Sequence, residues 1–176
     1  MSVVLEKVCL LLLDVDGVLT DGRITYDDQG RETKSFDVKD GHGIKLLMRA
    51  GLQVGIITGR RSPIVAHRAQ ELGIGMVYQG ALDKRVPYEA ILAEQGLTDE
   101  QVAYVGDDLI DLPILRRVGF SAAVADAVDE VKAAVHYVAR RRGGRGAVRE
   151  ICDHILKGSG RWPAVTARYG LEWRQS

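Results

Sequence analysis

Apolar residues fall into short uninterrupted runs, separated by stretches of helical period. Val8–Leu13 (VCLLLL) is the strongest run and stops abruptly at Asp14. A run that is apolar at every position predicts a central strand buried on both faces of a parallel sheet, with Cys9 packed in the core. Val54–Thr58, Met76–Tyr78 and Val102–Val105 repeat the pattern, and Ser121–Val124 and Tyr137–Val138 predict further short strands. Helical stretches are predicted at Gly43–Ala50, Ser62–Leu72, Lys84–Glu94, Leu112–Val118, Val128–Ala134 and Ala147–Leu156. Ser62 before Pro63 predicts an N-cap and first turn. Gly96 predicts a helix stop, and Thr98 with Gln101 a capping box. The alternation implies an α/β fold: a Rossmann-like parallel sheet with helices on both faces and right-handed crossovers.

One segment breaks the alternation. Arg23–Tyr26 and Glu32–Val38 flank the turn Asp27-Asp28-Gln29-Gly30, which predicts a β-hairpin inserted after the first strand. A lone hairpin is marginal in water. No other part of the chain is evidently free to cover it, so a second subunit is the expected cover. After the last helix, residues 157–176 read as a loose tail, although Trp162 and Trp173 predict that it docks somewhere. The expected organisation is one domain over residues 1–157 and a C-terminal tail over 158–176.

Charge changes the picture. The 176 residues balance 24 Lys/Arg against 24 Asp/Glu, which argues against a general nucleic-acid binder. The balance hides an asymmetry: residues 140–176 hold nine Lys/Arg against three Asp/Glu, so an acidic body carries a basic tail. No apolar run approaches the length of a membrane span, and Glu6 and Lys7 precede the first run, unlike a signal peptide. Two cysteines make no disulfide framework, and the four histidines show no zinc-ligand spacing. A reducing, cytoplasmic setting is expected.

Candidate chemistry collects at the predicted carboxyl ends of the strands, where α/β sheets bind ligands. The first strand ends in Asp14-Val15-Asp16-Gly17, the second in Thr58-Gly59-Arg60, and the Val102–Val105 strand in Gly106-Asp107-Asp108. Lys84 opens the helix after the third. Each piece alone has a plainer reading. Asp-x-Asp-Gly also suits an Asx turn or a calcium loop, Thr-Gly-Arg an ordinary turn, and Gly-Asp-Asp a helix cap. Together they suggest one site. Carboxylates from two strand ends suit Mg²⁺. One carboxylate can attack phosphorus while another moves the proton. A hydroxyl, backbone N–H groups and a lysine can hold the phosphoryl oxygens.

LLLDVDGVLTDG, IITGR, Lys84 and YVGDDLIDLP resemble, in order, the four motifs of the haloacid dehalogenase superfamily of phosphatases. FDVKDGHGIKLL, YQGALDK and GGRGAVREICD are similar, more narrowly, to the phosphatase family acting on 3-deoxy-D-manno-octulosonate 8-phosphate. Sister enzymes acting on nonulosonate 9-phosphates share most of these strings. The resemblance implies Asp14 as nucleophile and Mg²⁺ ligand, Asp16 as acid/base with its backbone carbonyl on the metal, and Asp107 as third ligand. It implies that Thr58 and Gly59 hold phosphate and that Lys84 pairs with both nucleophile and phosphate. Asp37, Val38, Lys39, Asp40, Gly41, Lys45, Arg60 and Arg68 fall at substrate-contacting positions. Asp108 stands behind the ligands, and Asp111 supports the metal loop.

The resemblance also implies a site without a cap domain, since only about forty residues separate Asp16 from Thr58. It implies a homotetramer whose hairpins pair between subunits. Arg140–Arg149 then reads either as a solvated helix start or, preferably, as an anion gate: the Gly143-Gly144-Arg145-Gly146 loop can move, and Arg145 would reach substrate in a neighbour's site. On that reading residues 140–176 become ordered only in the oligomer. Rival readings are a nonulosonate 9-phosphate phosphatase and a non-catalytic assembly domain of a sugar-activating enzyme. A phospho-accepting receiver domain fits poorly, because it leaves DVDG unexplained.

Overall fold

The computed structural model describes residues 4–170. A short 3-10 turn at Leu5–Lys7 precedes β1 (Leu10–Leu13), which is followed by a hairpin of β2 (Thr25–Tyr26) and β3 (Glu32–Thr33). Alternation then begins with α1 (Val38–Arg49), β4 (Gln53–Thr58), α2 (Pro63–Leu72), β5 (Met76–Gln79) and α3 (Arg85–Gln95). It continues through β6 (Val102–Gly106), α4 (Leu112–Leu115), β7 (Phe120–Ala123), α5 (Asp129–Lys132) and β8 (Tyr137–Val138), and closes with α6 (Ala147–Gly158) and α7 (Trp162–Thr166). The main sheet has six strands in the order β5-β4-β1-β6-β7-β8, all parallel.

Every residue of β1 and β6 is buried, as are five of the six in β4. Full burial of successive strand residues requires cover on both faces, as the apolar runs predict. Leu10 to Leu13 are each 0% exposed, and burying each side chain is worth about 1.5–3 kcal/mol. Among the described residues, Tyr88, Tyr104 and Phe120 are the largest fully buried side chains. The Thr98–Gln101 capping box forms, and Gly96 closes α3 with φ +63°. Ser62 stands at the α2 N-cap, but its hydroxyl makes no cap bond.

Several sequence expectations change. Cys9 is exposed rather than packed in the core. Its backbone bonds Gln101 and Gln53 where the strand enters the sheet, but its thiol only turns back to the Lys7 carbonyl at 3.3 Å. α1 begins at Val38 instead of Gly43, because Asp37 caps it by accepting from the Lys39 amide at 2.6 Å. The stretches predicted over 112–118 and 128–134 shorten to the single turns α4 and α5. The hairpin ladder narrows to two residues per arm. Residues 158–170 are not loose: Trp162, Val165 and Thr166 of α7 are buried. Trp173 lies outside the described residues.

Candidate active site

The first loop is shaped before any ligand enters. The amides of Val18, Leu19 and Thr20 all turn back to the Val15 carbonyl, at 2.9–3.2 Å. This leaves Asp14 and Asp16 at the mouth of β1. Gly17 sits at φ +93°, and a Cβ there would strike the Asp107 carboxylate. The glycine of Asp-Val-Asp-Gly therefore lets the end of β6 approach the end of β1.

Asp14 is 6% and Lys84 2% exposed. The Lys84 ammonium lies 2.8 Å from Asp14 Oδ1 and 2.7 Å from Asp111 Oδ1. Asp111 Oδ1 also accepts from the Tyr104 hydroxyl at 2.7 Å. Its Oδ2 accepts the Asp107 amide at 3.0 Å and the Asp108 amide at 3.3 Å. Asp111, fully buried, thus braces Lys84, Tyr104 and the Asp107–Asp108 backbone together. Asp108 caps the short turn Leu109–Asp111, its carboxylate accepting from the Leu109 amide.

The electrostatics follow from burial and crowding. Burial lowers the Lys84 affinity for its proton, but Asp14 and Asp111 outweigh it and hold the ammonium above its ordinary range. Burial raises Asp14 to about 6; Lys84 pulls it down and Asp111 pushes it up. Burial, then Asp14 and Asp111, raise Asp107 to about 8. Burial and Asp111 keep the Tyr104 phenol protonated, consistent with its donating role.

Carboxylate oxygens of Asp14, Asp107 and Asp111 lie within 4.8 Å of one another. Among the described residues, Asp107 Oδ1 is buried without a hydrogen-bond partner, which is costly unless something accepts its electron pairs. Both Asp111 oxygens are engaged, so Asp14 and Asp107 are the donors left for a hard cation. An all-oxygen, anionic donor set fits Mg²⁺.

Thr58 ends β4 and is buried, and Gly59 and Arg60 follow it. Arg60 Nη2 pairs with Glu32 Oε1 of β3 at 2.7 Å. Asp16 pairs with Lys34, whose side chain is 1% exposed. The hairpin thus leans on the mouth of its own sheet, although Ile24 and Tyr26 remain exposed. Arg68 lies over the Phe36 ring at 5.7 Å and abuts Gly41. Lys45 stands beside the Gly73 turn, and Val38 and Lys39 are exposed at the start of α1.

Asp40 has another job. It is 1% exposed and accepts the Gly146 and Arg149 amides at 3.3 and 2.7 Å, capping α6 from α1. Burial raises it to about 6.

The glycine loop near Arg145 is stitched to its own chain. Gly143 donates to Asp126 at 2.9 Å and Gly144 to the Val18 carbonyl at 2.9 Å. A Cβ on Gly143 would strike the Gly17 carbonyl, so this glycine serves close approach. Arg145 Nη2 is 3.6 Å from Asp21 Oδ2. A groove lined by Lys39, Tyr137, Arg141 and His154 contains none of the clustered carboxylates.

Sequence reasoning brought Asp14, Asp16, Thr58, Lys84 and Asp107 to one rim, and the structure places them there. It missed Glu32, Lys34 and Tyr104, and undervalued Asp111. Glu32 and Lys34 share a strand face at i, i+2, the one signal that pointed to them.

A family model of haloacid dehalogenase-like hydrolases matches residues 73–151. The 3-deoxy-D-manno-octulosonate 8-phosphate phosphatase KdsC of Yersinia pestis is 53% identical over 147 residues, 84% of this chain and 79% of the relative. The cobalt-bound deoxy-D-mannose-octulosonate 8-phosphate phosphatase of Haemophilus influenzae superposes with a TM-score of 0.88 at 46% identity, covering 96% of this chain and 99% of that one. The Moraxella catarrhalis 3-deoxy-D-manno-octulosonate 8-phosphate phosphatase, solved with magnesium, phosphate and KDO, gives 0.91 at 40% identity, covering 94% and 95%.

Proposed function

The chain belongs to the haloacid dehalogenase-like hydrolases, within the 3-deoxy-D-manno-octulosonate 8-phosphate phosphatase family, and from that premise we propose its reaction. It hydrolyses 3-deoxy-D-manno-octulosonate 8-phosphate to the free sugar acid and phosphate, a step in making lipopolysaccharide precursors, with Mg²⁺ as cofactor. The observation that carries the chemistry is Lys84 held between Asp14 and Asp111 beside the unpartnered Asp107 oxygen.

Asp14 is the nucleophile. Its free oxygen attacks phosphorus in line, the P–O bond to the sugar breaks, and Asp16 delivers a proton to the departing oxygen. Asp16 then takes a proton from water, which attacks the aspartyl-phosphate and frees Asp14. Lys84 holds Asp14 and meets charge developing on the phosphoryl oxygens, with Thr58 and the Gly59 backbone beside it. Asp14, Asp107 and the Asp16 backbone carbonyl would hold Mg²⁺. The bound cation lowers repulsion between nucleophile and phosphate.

Asp37, Val38, Lys39, Gly41, Lys45, Arg60, Arg68 and Arg145 form the proposed recognition arc, with five positively charged helix or loop positions suited to a sugar carboxylate. Asp40 is assigned to anchoring the start of that arc.

The proposed assembly is a homotetramer with hairpins paired between subunits, supported by exposed Ile24 and Tyr26. Light scattering reporting a monomer would remove that part. The cytoplasm is the proposed compartment, since an exposed Cys9 thiol suits a reducing environment. Among the described residues no helix is long and apolar enough to cross a membrane.

The test is phosphate release from a panel: the 8-phosphate, a nonulosonate 9-phosphate and neutral sugar phosphates, each with and without Mg²⁺. The 8-phosphate should give the highest kcat/KM, and only with the metal. Preference for the 9-phosphate would reassign the substrate, and release from no ester would leave an assembly domain.

A further inference from the structure

The hairpin contributes a charge to the site that neither the motifs nor the mechanism above uses. Lys34, on the strand arm just after β3, has a side chain 1% exposed, and its ammonium pairs with Asp16 Oδ1. On its other side it lies 3.5 Å from Glu32 Oε1, and that oxygen is 2.7 Å from Arg60 Nη2. Asp16, Lys34, Glu32 and Arg60 therefore form an alternating chain of charges. It runs from the loop after β1, through the hairpin, to the loop after β4. Burying a lysine ammonium is costly unless it is paired on both flanks, and here it is.

We infer that Lys34 is the positioning residue for Asp16, supplied by the hairpin of the same chain. An aspartate has two free torsions and reaches several staggered arrangements. A proton donor works only when its oxygen stands within hydrogen-bond reach of the leaving atom. Lys34 occupies one Asp16 oxygen and thereby fixes the carboxyl, leaving the second oxygen for proton transfer. Behind Lys34, Glu32 Oε1 makes ion pairs without hydrogen bonds, at 3.5 Å to Lys34 and 2.7 Å to Arg60. Arg60 is also in the proposed recognition arc, so a ligand there shares a charge chain with the acid. Lys34 touches no reacting atom and acts through Asp16.

This inference rests on the phosphatase reading, and its test separates the two. A sugar oxygen is a poor leaving group and needs the proton from Asp16. The phenolate of 4-nitrophenyl phosphate leaves without one. kcat/KM reports steps up to leaving-group departure, so it isolates the event in question. For Lys34→Met, kcat/KM on 3-deoxy-D-manno-octulosonate 8-phosphate is expected to fall about 10- to 100-fold further than on 4-nitrophenyl phosphate. Lys34→Arg, which restores a cation, should recover part of that difference. Parallel losses on both esters, with or without a lower melting temperature, would make Lys34 a fastening of the hairpin only and overturn the inference. Unchanged kinetics on both would overturn it equally. A wild-type enzyme inert towards every phosphate ester would sink the phosphatase reading itself, and this role with it.

Discussion

Lys84 is 2% exposed between Asp14 and Asp111, whereas the Arg145 side chain on the same rim is 70% exposed and 3.6 Å from Asp21. The contrast extends around both. The carboxylate cluster stands on the ends of β1 and β6, strands whose residues are all buried. The cations around it stand on the helices α1 and α2 and on the loops that carry Arg60 and Arg145. Inside the cluster, water cannot screen the charges, so each pairing is strong and each missing partner costly. In the arc, solvent screens the charges and single pairs are worth little. Positions in the cluster are thus over-determined, whereas side chains in the proposed recognition arc can adjust.

The largest effect should come from removing the central cation. Lys84→Met leaves Asp14 and Asp111 buried without their ammonium. It should cost about 3–5 kcal/mol in denaturant unfolding and about 100-fold or more in kcat. A variant as stable as wild type would mean the cluster is less buried than described.

Next comes the metal. Without it, Asp14 and Asp107 are raised from 3.8 to about 6 and about 8. Their folded values exceed the unfolded ones, so between roughly pH 4 and 8 these two groups hold more protons in the folded chain than in the unfolded. The stability that they contribute to the metal-free protein should therefore fall as pH rises through that window. Mg²⁺ needs both carboxylates ionised, so its thermal shift should be larger at pH 8 than at pH 6. Equal shifts would move the metal elsewhere.

Asp40 tests the boundary between the two regions. Asp40→Ala removes the cap of α6 and should cost about 1–2 kcal/mol of stability while KM stays the same. A raised KM at unchanged stability would return Asp40 to the substrate. Smallest is Arg145→Ala: a KM increase of about 2- to 5-fold, under ~1 kcal/mol, with unchanged melting temperature. No change would confine Arg145 to the surface.

Much of this was readable in the chain itself. Four apolar runs ending in charged or polar residues announced a parallel sheet and the rim on which Asp14, Thr58, Lys84 and Asp107 stand. What stayed hidden depended on the chain folding back. Asp111 looks like loop support in the string GDDLID, yet a short turn carries it under Lys84 and Tyr104. Lys34 meets Asp16 only because the hairpin leans on the mouth of β1. Asp40 belongs to a helix that the polar sequence VKDGH disguised, and its partners lie more than a hundred residues on. Cys9 shares the apolar run of β1 but falls where the sheet's cover ends. Single-turn helices such as α4 and α5 carry too little periodicity to bound.

If Asp14 is the nucleophile, Asp14 itself becomes phosphorylated during turnover. Acid-quenching the enzyme with substrate carrying labelled phosphate, then mapping the label, tests it most directly. Label is expected on the peptide containing Asp14 in the wild type and none on Asp14→Asn, which should also turn over on the order of 10⁴-fold more slowly or not at all. Labelled phosphoenzyme trapped in Asp14→Asn would contradict it.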